Sequence, residues 1–363
     1  MRCMTQLFHL HTFFTLLFVF GVAVNSAARL SYSSASKHVG FTAQANNTIY
    51  YSNGIDVEFK AVFSGNNNLL IISHRIDPNG NYIAIRTRNM GREYPIDYEP
   101  NSRYGEDFLI INRDGKILYR FEFNQLLSFD WDSKGERIVC LTGSYERFRK
   151  LSDFPLGNVL HLFDIHQGEL QQVVADTNEI FLDASWAVFD DNIYLRKLKG
   201  VFRYDIASSK MIPMTFKSAN ISPNGKYCFL DDFYGKDGAE LYLTGSEQQV
   251  ALITPEKIKQ SSFERPDLQF ISSLKLFDWI IDGNKTYAIV FDTDIAGCLK
   301  YFNLSGFWKL DCETGLAIEL PVPKYISQIW KAHNYQLPAG LQDGKLVWAL
   351  PTPEGNLKAS FAE

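Results

Sequence analysis

The sequence predicts an all-β protein that folds as a β-propeller, a ring of six four-stranded antiparallel blades, with seven blades as the alternative count. One observation is a recurring hairpin, in which an apolar strand, a turn with Asp or Asn and Gly, and a second strand follow one another. Another is a second kind of hairpin that alternates with the first. The third is a composition with 28 Phe and 18 Tyr, residues that favour strands.

The N-terminus has the order of a secretory signal peptide. Arg2 precedes the apolar run FFTLLFVFGVAV at residues 13–24, and the small residues Ser26 and Ala28 follow. An uncleaved anchor is the alternative, but the run is shorter than the ~20 residues that span a bilayer. We therefore expect a signal peptide over residues 1–28, a flexible lead-in over 29–40, and a secreted or periplasmic protein with no stable membrane span after cleavage.

The rest of the chain, residues 41–363, is predicted to be a single propeller domain. Each hairpin of the first kind precedes one of the second kind, and the two together make a four-stranded blade. First-kind hairpins occupy residues 73–86, 128–142, 184–195, 219–230, 277–290 and 341–350. Second-kind hairpins occupy residues 108–119, 161–170, 202–211, 241–250, 307–316 and 348–357. Residues 47–62 form one further hairpin, which would complete the first blade, close the ring with the C-terminal strands, or begin a seventh blade.

The first-kind turns need a residue that tolerates positive φ. Gly80, Gly135, Gly225, Gly283 and Gly344 supply it in five copies, and we expect Asn192 to replace glycine in the degenerate copy.

These turns resemble a known repeat. Residues 221–227, ISPNGKY, are similar to the turn of the WD40-like repeats in TolB-type β-propellers, and residues 76–80 and 131–135 are similar too. The resemblance covers residues 60–360 and implies the propeller fold. It implies no particular activity, because propellers carry unrelated functions. The copies that begin at Ala184 and Leu341 depart from the pattern, so the number of blades stays open.

Long connections join the two hairpins of several blades, at residues 87–106, 144–158, 231–240 and 292–306. Insertions at equivalent places in a repeat lie on one face of the ring, where binding residues are often found. Tyr, Phe and Arg are enriched there and form strong contacts with protein partners, although packing of loop on loop is the alternative. The predicted binding residues are Arg92, Tyr94, Tyr98, Arg103, Tyr104, Tyr145, Arg147, Phe148, Phe233 and Tyr234.

Charge and motif content exclude several functions. The net charge of −5 gives no reason to expect nucleic acid as a partner. No G-x-S-x-G, H-E-x-x-H, P-loop or G-x-G-x-x-G motif occurs. We therefore predict no catalytic residue, no metal and no cofactor. The acidic groups considered as metal sites, for which solvated turn residues are the favoured alternative, are Asp292 with Asp294, and Asp231 with Asp232 and Asp237.

Two features bear on an exported protein. Cys298 and Cys312 flank one strand and are a candidate disulfide pair in an oxidising compartment. Sequons for N-glycosylation begin at Asn46, Asn220, Asn284 and Asn303.

The preferred hypothesis is a binding scaffold for a protein or peptide in the cell envelope or outside the cell, acting through the loops of one face. The alternative is a propeller enzyme, a hydrolase or lyase acting on a glycan or small molecule, with acids near the central channel.

Overall fold

All regular structure in the described part of the chain is β-strand. The structure is a computed structural model that describes residues 40–45, 47–93, 104–143, 157–175, 181–197, 200–215, 218–231, 239–246, 248–253, 270–296, 302–323 and 338–362. The predicted signal peptide and nearly all of the lead-in lie outside these ranges. No helix long and apolar enough to cross a membrane occurs in the described ranges.

The strands form seven antiparallel sheets, which we number as blades 1 to 7 in chain order. Blade 1 contains β1 (Phe41–Ala45), β2 (Thr48–Ser52) and β3 (Lys60–Ser64). Blade 2 contains β4 (Leu69–Ile76), β5 (Tyr82–Glu93), β6 (Tyr104–Asn112) and β7 (Ile117–Phe123). Blade 3 contains β8 (Leu126–Trp131), β9 (Arg137–Thr142), β10 (Val159–Asp164) and β11 (Glu169–Ala175).

The later blades continue this order. Blade 4 contains β12 (Asp183–Ala187), β13 (Asn192–Lys197), β14 (Gly200–Asp205) and β15 (Lys210–Met214). Blade 5 contains β16 (Tyr227–Leu230), β17 (Ala239–Leu243) and β18 (Gln249–Ile253). Blade 6 contains β19 (Phe270–Asp282), β20 (Lys285–Ala296), β21 (Phe302–Asp311) and β22 (Ala317–Leu320). Blade 7 contains β23 (Gly340–Gln342), β24 (Lys345–Pro351) and β25 (Leu357–Phe361).

The blade count is therefore seven, the alternative that the sequence left open. Residues 47–62 belong to an additional blade, because β2 and β3 pair with each other beside β1. The last repeat is smaller than predicted. The hairpins expected at 341–350 and 348–357 share β24, so they supply three strands rather than four.

The N-terminal region closes the ring by completing blade 7. The connection between β2 and β3 pairs with the outer edge of β25, where Asp56 N donates to Ala359 O and Phe59 N to Leu357 O, both at 2.7 Å. Lys358 Nζ lies 3.1 Å from a carboxylate oxygen of Asp56. Residues 56–59, from the beginning of the chain, thus lie along the open edge of the last blade, where the fourth strand of a complete blade would pair.

Apolar residues between the blades hold the ring together. In the described residues, seven buried clusters form, and each one joins two neighbouring blades. One example places Phe108 of blade 2 against Phe129 of blade 3, with ring centroids 5.1 Å apart. The cluster that contains Phe41, Phe59 and Val347 joins blade 7 to blade 1. The Phe-rich composition is thus used largely at the interfaces between blades.

The turns of the first-kind hairpins lie together on one face of the ring, which we call the turn face. The amide of Asn79, in the turn of blade 2, donates to Lys134 O in the turn of blade 3. Asp191, with φ of +54°, takes the left-handed position in the degenerate copy, so the expectation that Asn192 would do so was wrong. Asn192 instead begins β13. Because the strands alternate in direction, links between second and third strands leave at the opposite face, which we call the loop face.

Candidate binding site

Two blades extend well beyond their neighbours on the loop face. β5 has 12 residues, and β19 and β20 have 13 and 12, whereas β13 of blade 4 has six. At about 3.3 Å per residue, 12 residues span ~40 Å and six span ~20 Å. The extra length lies on the loop face, because β5 and β20 both begin next to their turns. Paired strands therefore replace much of the links predicted as loops at residues 87–106 and 292–306.

The extension of blade 2 carries some of the predicted binding residues on regular backbone. Arg92 lies in β5, and Tyr104 is the first residue of β6, where it pairs with Glu93. For Arg92 and Tyr104 the structure describes the backbone alone. The predicted residues outside the described ranges are Tyr94, Tyr98, Arg103, Tyr145, Arg147, Phe148, Phe233 and Tyr234.

A buried ion pair supports the base of this extension. Arg86 donates to Glu106 through Nε at 3.0 Å and through Nη2 at 2.7 Å, an arrangement in which both carboxylate oxygens accept. The same carboxylate accepts the backbone N–H of Leu126 in blade 3 at 2.7 Å. Because bidentate, charge-assisted hydrogen bonds are strong and directional, they fix the extension of blade 2 against blade 3.

A patch of exposed side chains lies directly beside this ion pair. Leu70 pairs with Arg88 across β4 and β5, and Met90 follows Arg88 by two residues, so the three side chains share one face of the sheet. Leu70 is 44% exposed and Met90 is 36% exposed. The Arg88 side chain is 27% exposed, and its Nη2 lies 4.0 Å from Glu106. We call Leu70, Arg88 and Met90 the Arg88 patch.

The electrostatics of the patch come from two guanidinium groups near one carboxylate. Burial and the positive charge of Arg86 lower the pKa of Arg88, while the charge of Glu106 opposes this change. Among these three groups, two guanidinium charges face one carboxylate charge, and both oxygens of that carboxylate already accept hydrogen bonds from Arg86.

Carboxylates on the inner strands serve to join the blades. Arg75 Nη1 of blade 2 lies 2.5 Å from Asp130 Oδ1 of blade 3, and both side chains are buried. Asp130 Oδ2 accepts the backbone N–H of Trp186 in blade 4 at 2.9 Å. One aspartate thus connects three successive blades, which is a structural role rather than the role of an acid at a channel mouth.

A second buried polar group lies between blades 5 and 6. Asp231 accepts the backbone N–H of Leu276 at 2.8 Å and the amide of Asn220 at 3.4 Å. Lys275 lies next to this carboxylate and is 3% exposed. Burial lowers the pKa of Lys275 to about 8, although the negative charge of Asp231 acts in the opposite direction.

The acids of the turn face stabilise their own turns. Asp77 accepts the backbone N–H groups of Asn79 and Tyr82, and Asp132 accepts that of Glu136. Burial raises the pKa of Asp77 to about 6 despite these bonds, which favour its charged form. The recurring turn acid is therefore part of the repeat architecture.

The other candidate groups have structural surroundings or lie outside the described side chains. His161 Nε2 is 3.0 Å from Thr142 Oγ1, and burial lowers its pKa. Cys312 is a free, buried thiol between blades 5 and 6, which does not support its pairing with Cys298. Of the acids that the sequence analysis considered as metal ligands, Asp231 alone has a side chain within the described part of the structure. No group of three His, Cys, Asp or Glu side chains in the described ranges is placed to hold a metal ion.

The seven sheets and the apolar interfaces between them show the fold, and several solved structures resemble it weakly. A chain of the mitotic checkpoint complex is 12% identical with a TM-score of 0.46, and the match covers 93% of this chain and 91% of that chain. TolB from Acinetobacter baumannii is 13% identical with a TM-score of 0.37, with 77% and 64% covered. The fold is a β-propeller of seven antiparallel sheets in the described ranges.

The comparisons concern the propeller fold alone. The dihydro-heme d1 dehydrogenase NirN, in complex with DHE, is 12% identical with a TM-score of 0.47 over 81% of this chain. The propeller spans about half the length of that protein, 55% of its chain. No protein-family model and no curated protein matches the sequence.

Sequence reasoning missed the Arg88 patch, although the sequence holds a signal for it. Arg86, Arg88 and Met90 alternate along one strand, so their side chains lie on one face if the strand continues past residue 87. The prediction ended that strand at Arg86. Leu70 could not be added without the register that places it opposite Arg88.

Proposed function

We propose that the protein is an exported β-propeller that binds a protein or peptide partner through its loop face. The observation that carries the proposal is the extension of blades 2 and 6 on that face. Paired strands on a sheet have already lost conformational freedom, so the extended strands bind a partner at a lower entropic cost than a free loop does.

The contrast between the two faces supports the same choice. On the turn face, polar side chains such as Asp77 and Asp132 are bound to backbone groups of their own turns. On the loop face, the Arg88 patch exposes two apolar side chains beside a charged one. Exposed apolar groups next to arginine are typical of protein-binding surfaces.

Site-specific photo-crosslinking tests which face binds. A benzophenone amino acid replaces Tyr98 in blade 2 or Tyr145 in blade 3, and in the control it replaces Arg113, which is exposed on the turn between β6 and β7. We expect the same adduct band from the Tyr98 and Tyr145 positions in envelope or secreted fractions, and none from Arg113. Equal adducts from the Arg113 position would contradict the assignment of the loop face.

Charge reversal tests the predicted arginines. We expect Arg92→Glu with Arg147→Glu to abolish recovery of the crosslinked partner, whereas Arg113→Glu, with the same kind of charge change on the turn face, retains it. Unchanged recovery in the double variant would remove both arginines from the proposed site.

The exported location has its own test. The intact mass of the mature protein is measured after expression with its own N-terminus, and we expect the loss of a segment that ends near Ala28. A full-length chain retained inside the cell would contradict export, and binding at the loop face would then need a partner in that compartment.

A further inference from the structure

We propose that the Arg88 patch binds an acidic–aliphatic peptide segment, with an aspartate or glutamate carboxylate on Arg88 and a neighbouring aliphatic side chain on Leu70 and Met90. This inference rests on the proposed function, because it specifies the partner chemistry at the same face. It concerns a subsite that the sequence prediction did not contain.

The Arg88 guanidinium has unused hydrogen-bond donors. A guanidinium has five N–H donors, and the nearest carboxylate oxygen, in Glu106, is 4.0 Å from Nη2 of Arg88. That distance is longer than a hydrogen bond. Glu106 is already used by Arg86 and by the backbone of Leu126. An incoming carboxylate would therefore find unused donors in a fork that suits two oxygens.

The local balance of charge also favours a carboxylate as the ligand. Arg86 and Arg88 together carry two positive charges against the single negative charge of Glu106. The Arg88 side chain is about three-quarters buried, so water screens this excess less than it would on an open surface. A carboxylate from a partner would neutralise the excess and offset the repulsion between the guanidinium groups.

Leu70 and Met90 are placed to contact an aliphatic side chain of the ligand. Leu70 lies opposite Arg88 on β4, and Met90 lies two residues further along β5, ~6.8 Å away along the strand. Side chains two residues apart in an extended peptide lie on one face, so they could place a carboxylate on Arg88 and an aliphatic group over Leu70 or Met90. A free inorganic anion would leave these apolar side chains in water, so the patch favours a peptide.

The test compares two labelled peptides by fluorescence anisotropy on the full chain. The probe is fluorescein–Gly-Ser-Leu-Ser-Glu-Ser-Leu-Gly, in which Leu and Glu are two residues apart and share one face when the peptide is extended, and the matched peptide has Gln in place of Glu. We expect the Glu peptide to bind at least about tenfold more tightly, since the Gln peptide cannot form the charge-assisted pair. Equal affinities, or no binding of the Glu peptide up to millimolar concentration, would overturn the proposal.

Protein variants assign the difference to the patch. Arg88→Gln should remove the preference for Glu, and Leu70→Ser should weaken both peptides together. Arg113→Gln, which removes an exposed arginine from the turn face, should change neither affinity. Because the Arg88 guanidinium forms no hydrogen bond in the described residues, Arg88→Gln should keep the melting temperature of the parent protein. A preference for Glu that persists in Arg88→Gln would contradict the proposal.

Two further outcomes separate this inference from the proposed function. If phosphate competes equally with both peptides and Arg88→Gln abolishes that competition, the patch is an anion site without peptide selectivity and the inference is wrong. If Tyr98 crosslinking continues unchanged in Arg88→Gln and the peptides show no preference, the loop face still binds its partner and only the subsite is wrong. If the parent protein gives no adduct from either Tyr98 or Tyr145, the proposed function itself is refuted.

Discussion

Asp130 offers the most demanding test of how the blades are joined. The Asp130→Asn variant keeps the size of the side chain and removes its charge, which leaves the buried Arg75 guanidinium without its partner. Oδ1 accepts from Arg75 and from the backbone N–H of Trp131, and Oδ2 accepts from Trp186 N. The amide nitrogen of Asn would therefore face a donor in either orientation.

The expected loss of stability follows from these contacts. Breaking a buried ion pair from one side costs about 3–5 kcal/mol, and the donor–donor contact favours the upper part of that range. With an m-value of about 3 kcal/mol/M, this loss lowers the urea midpoint by ~1–1.7 M. Equilibrium urea unfolding followed by tryptophan fluorescence is the assay.

Two comparisons make this result decisive. Glu313→Gln removes one partner of the ion pair with Lys226, whose two side chains are about half exposed, and should leave the midpoint unchanged. Arg75→Met with Asp130→Asn removes both buried charges and should be more stable than Asp130→Asn alone. The reasoning is refuted if Asp130→Asn behaves like Glu313→Gln, or if the double variant is the least stable of the set.

Three other predictions concern closure, titration and turn geometry. Phe59→Ala should destabilise by about 3–5 kcal/mol in urea unfolding because Phe59 is buried where blades 7 and 1 meet, whereas Val57→Ala in the same segment, at a half-exposed side chain, should cost well under half of that. Equal effects of the two would contradict the closure. Lys275→Met should raise the free energy of unfolding at pH 7 by up to about 3 kcal/mol, because the lowered pKa of Lys275 reflects a cost of burying its charged form that is full below about pH 8 and disappears near pH 10.5. The parent should gain stability from pH 8 to 10.5, where the unfolded state binds the extra proton, and Lys275→Met should lack this gain; a persisting gain would assign it to another group. Gly135→Ala should be less stable by thermal melting than Gly283→Ala, since both have positive φ but only the Cβ at residue 135 would meet Asp77, at 2.6 Å, and equal melting temperatures would contradict that clash.

The sequence was sufficient for the local parts of the fold. Turn glycines such as Gly80 and Gly225 have positive φ, and the strands on both sides of Gly80 form the expected hairpin. Beside Gly225 the expected hairpin is reduced to an isolated bridge between Ile221 and Cys228. The ring closure could not be predicted in the same way. Asn356 contacts Glu58 across 298 residues of sequence, and no local pattern specifies such a pairing. The overlap of the last two hairpins at β24 was a signal that one strand was missing, but it did not indicate which segment would supply it.

The candidate site was less predictable because it depends on strand length and register. Arg86 and Glu106 are 20 residues apart, and they meet because β5 and β6 pair residue against residue over this distance. Arg88 reaches the surface because the same strand continues beyond the end of its neighbours. These properties arise from the length and pairing of the strands of blade 2, whereas the sequence alone suggested a loop in this region.

The repeated motif and the candidate site therefore belong to different parts of each blade. The acid in the turn motif stabilises its own turn in blades 2 and 3, and an inner-strand acid, Asp130, joins three blades. Residues with these roles recur because every blade needs stable turns and bonds to its neighbouring blades. A partner that binds one place on the ring needs features that do not recur, and the long hairpins of blades 2 and 6 are such features. If this argument holds, shortening the blade 2 hairpin by deleting residues 92–104 and joining Gly91 to Gly105 should abolish partner crosslinking through Tyr145 while the urea midpoint stays near that of the parent. Retained crosslinking in a folded deletion variant would show that the binding surface lies elsewhere on the loop face.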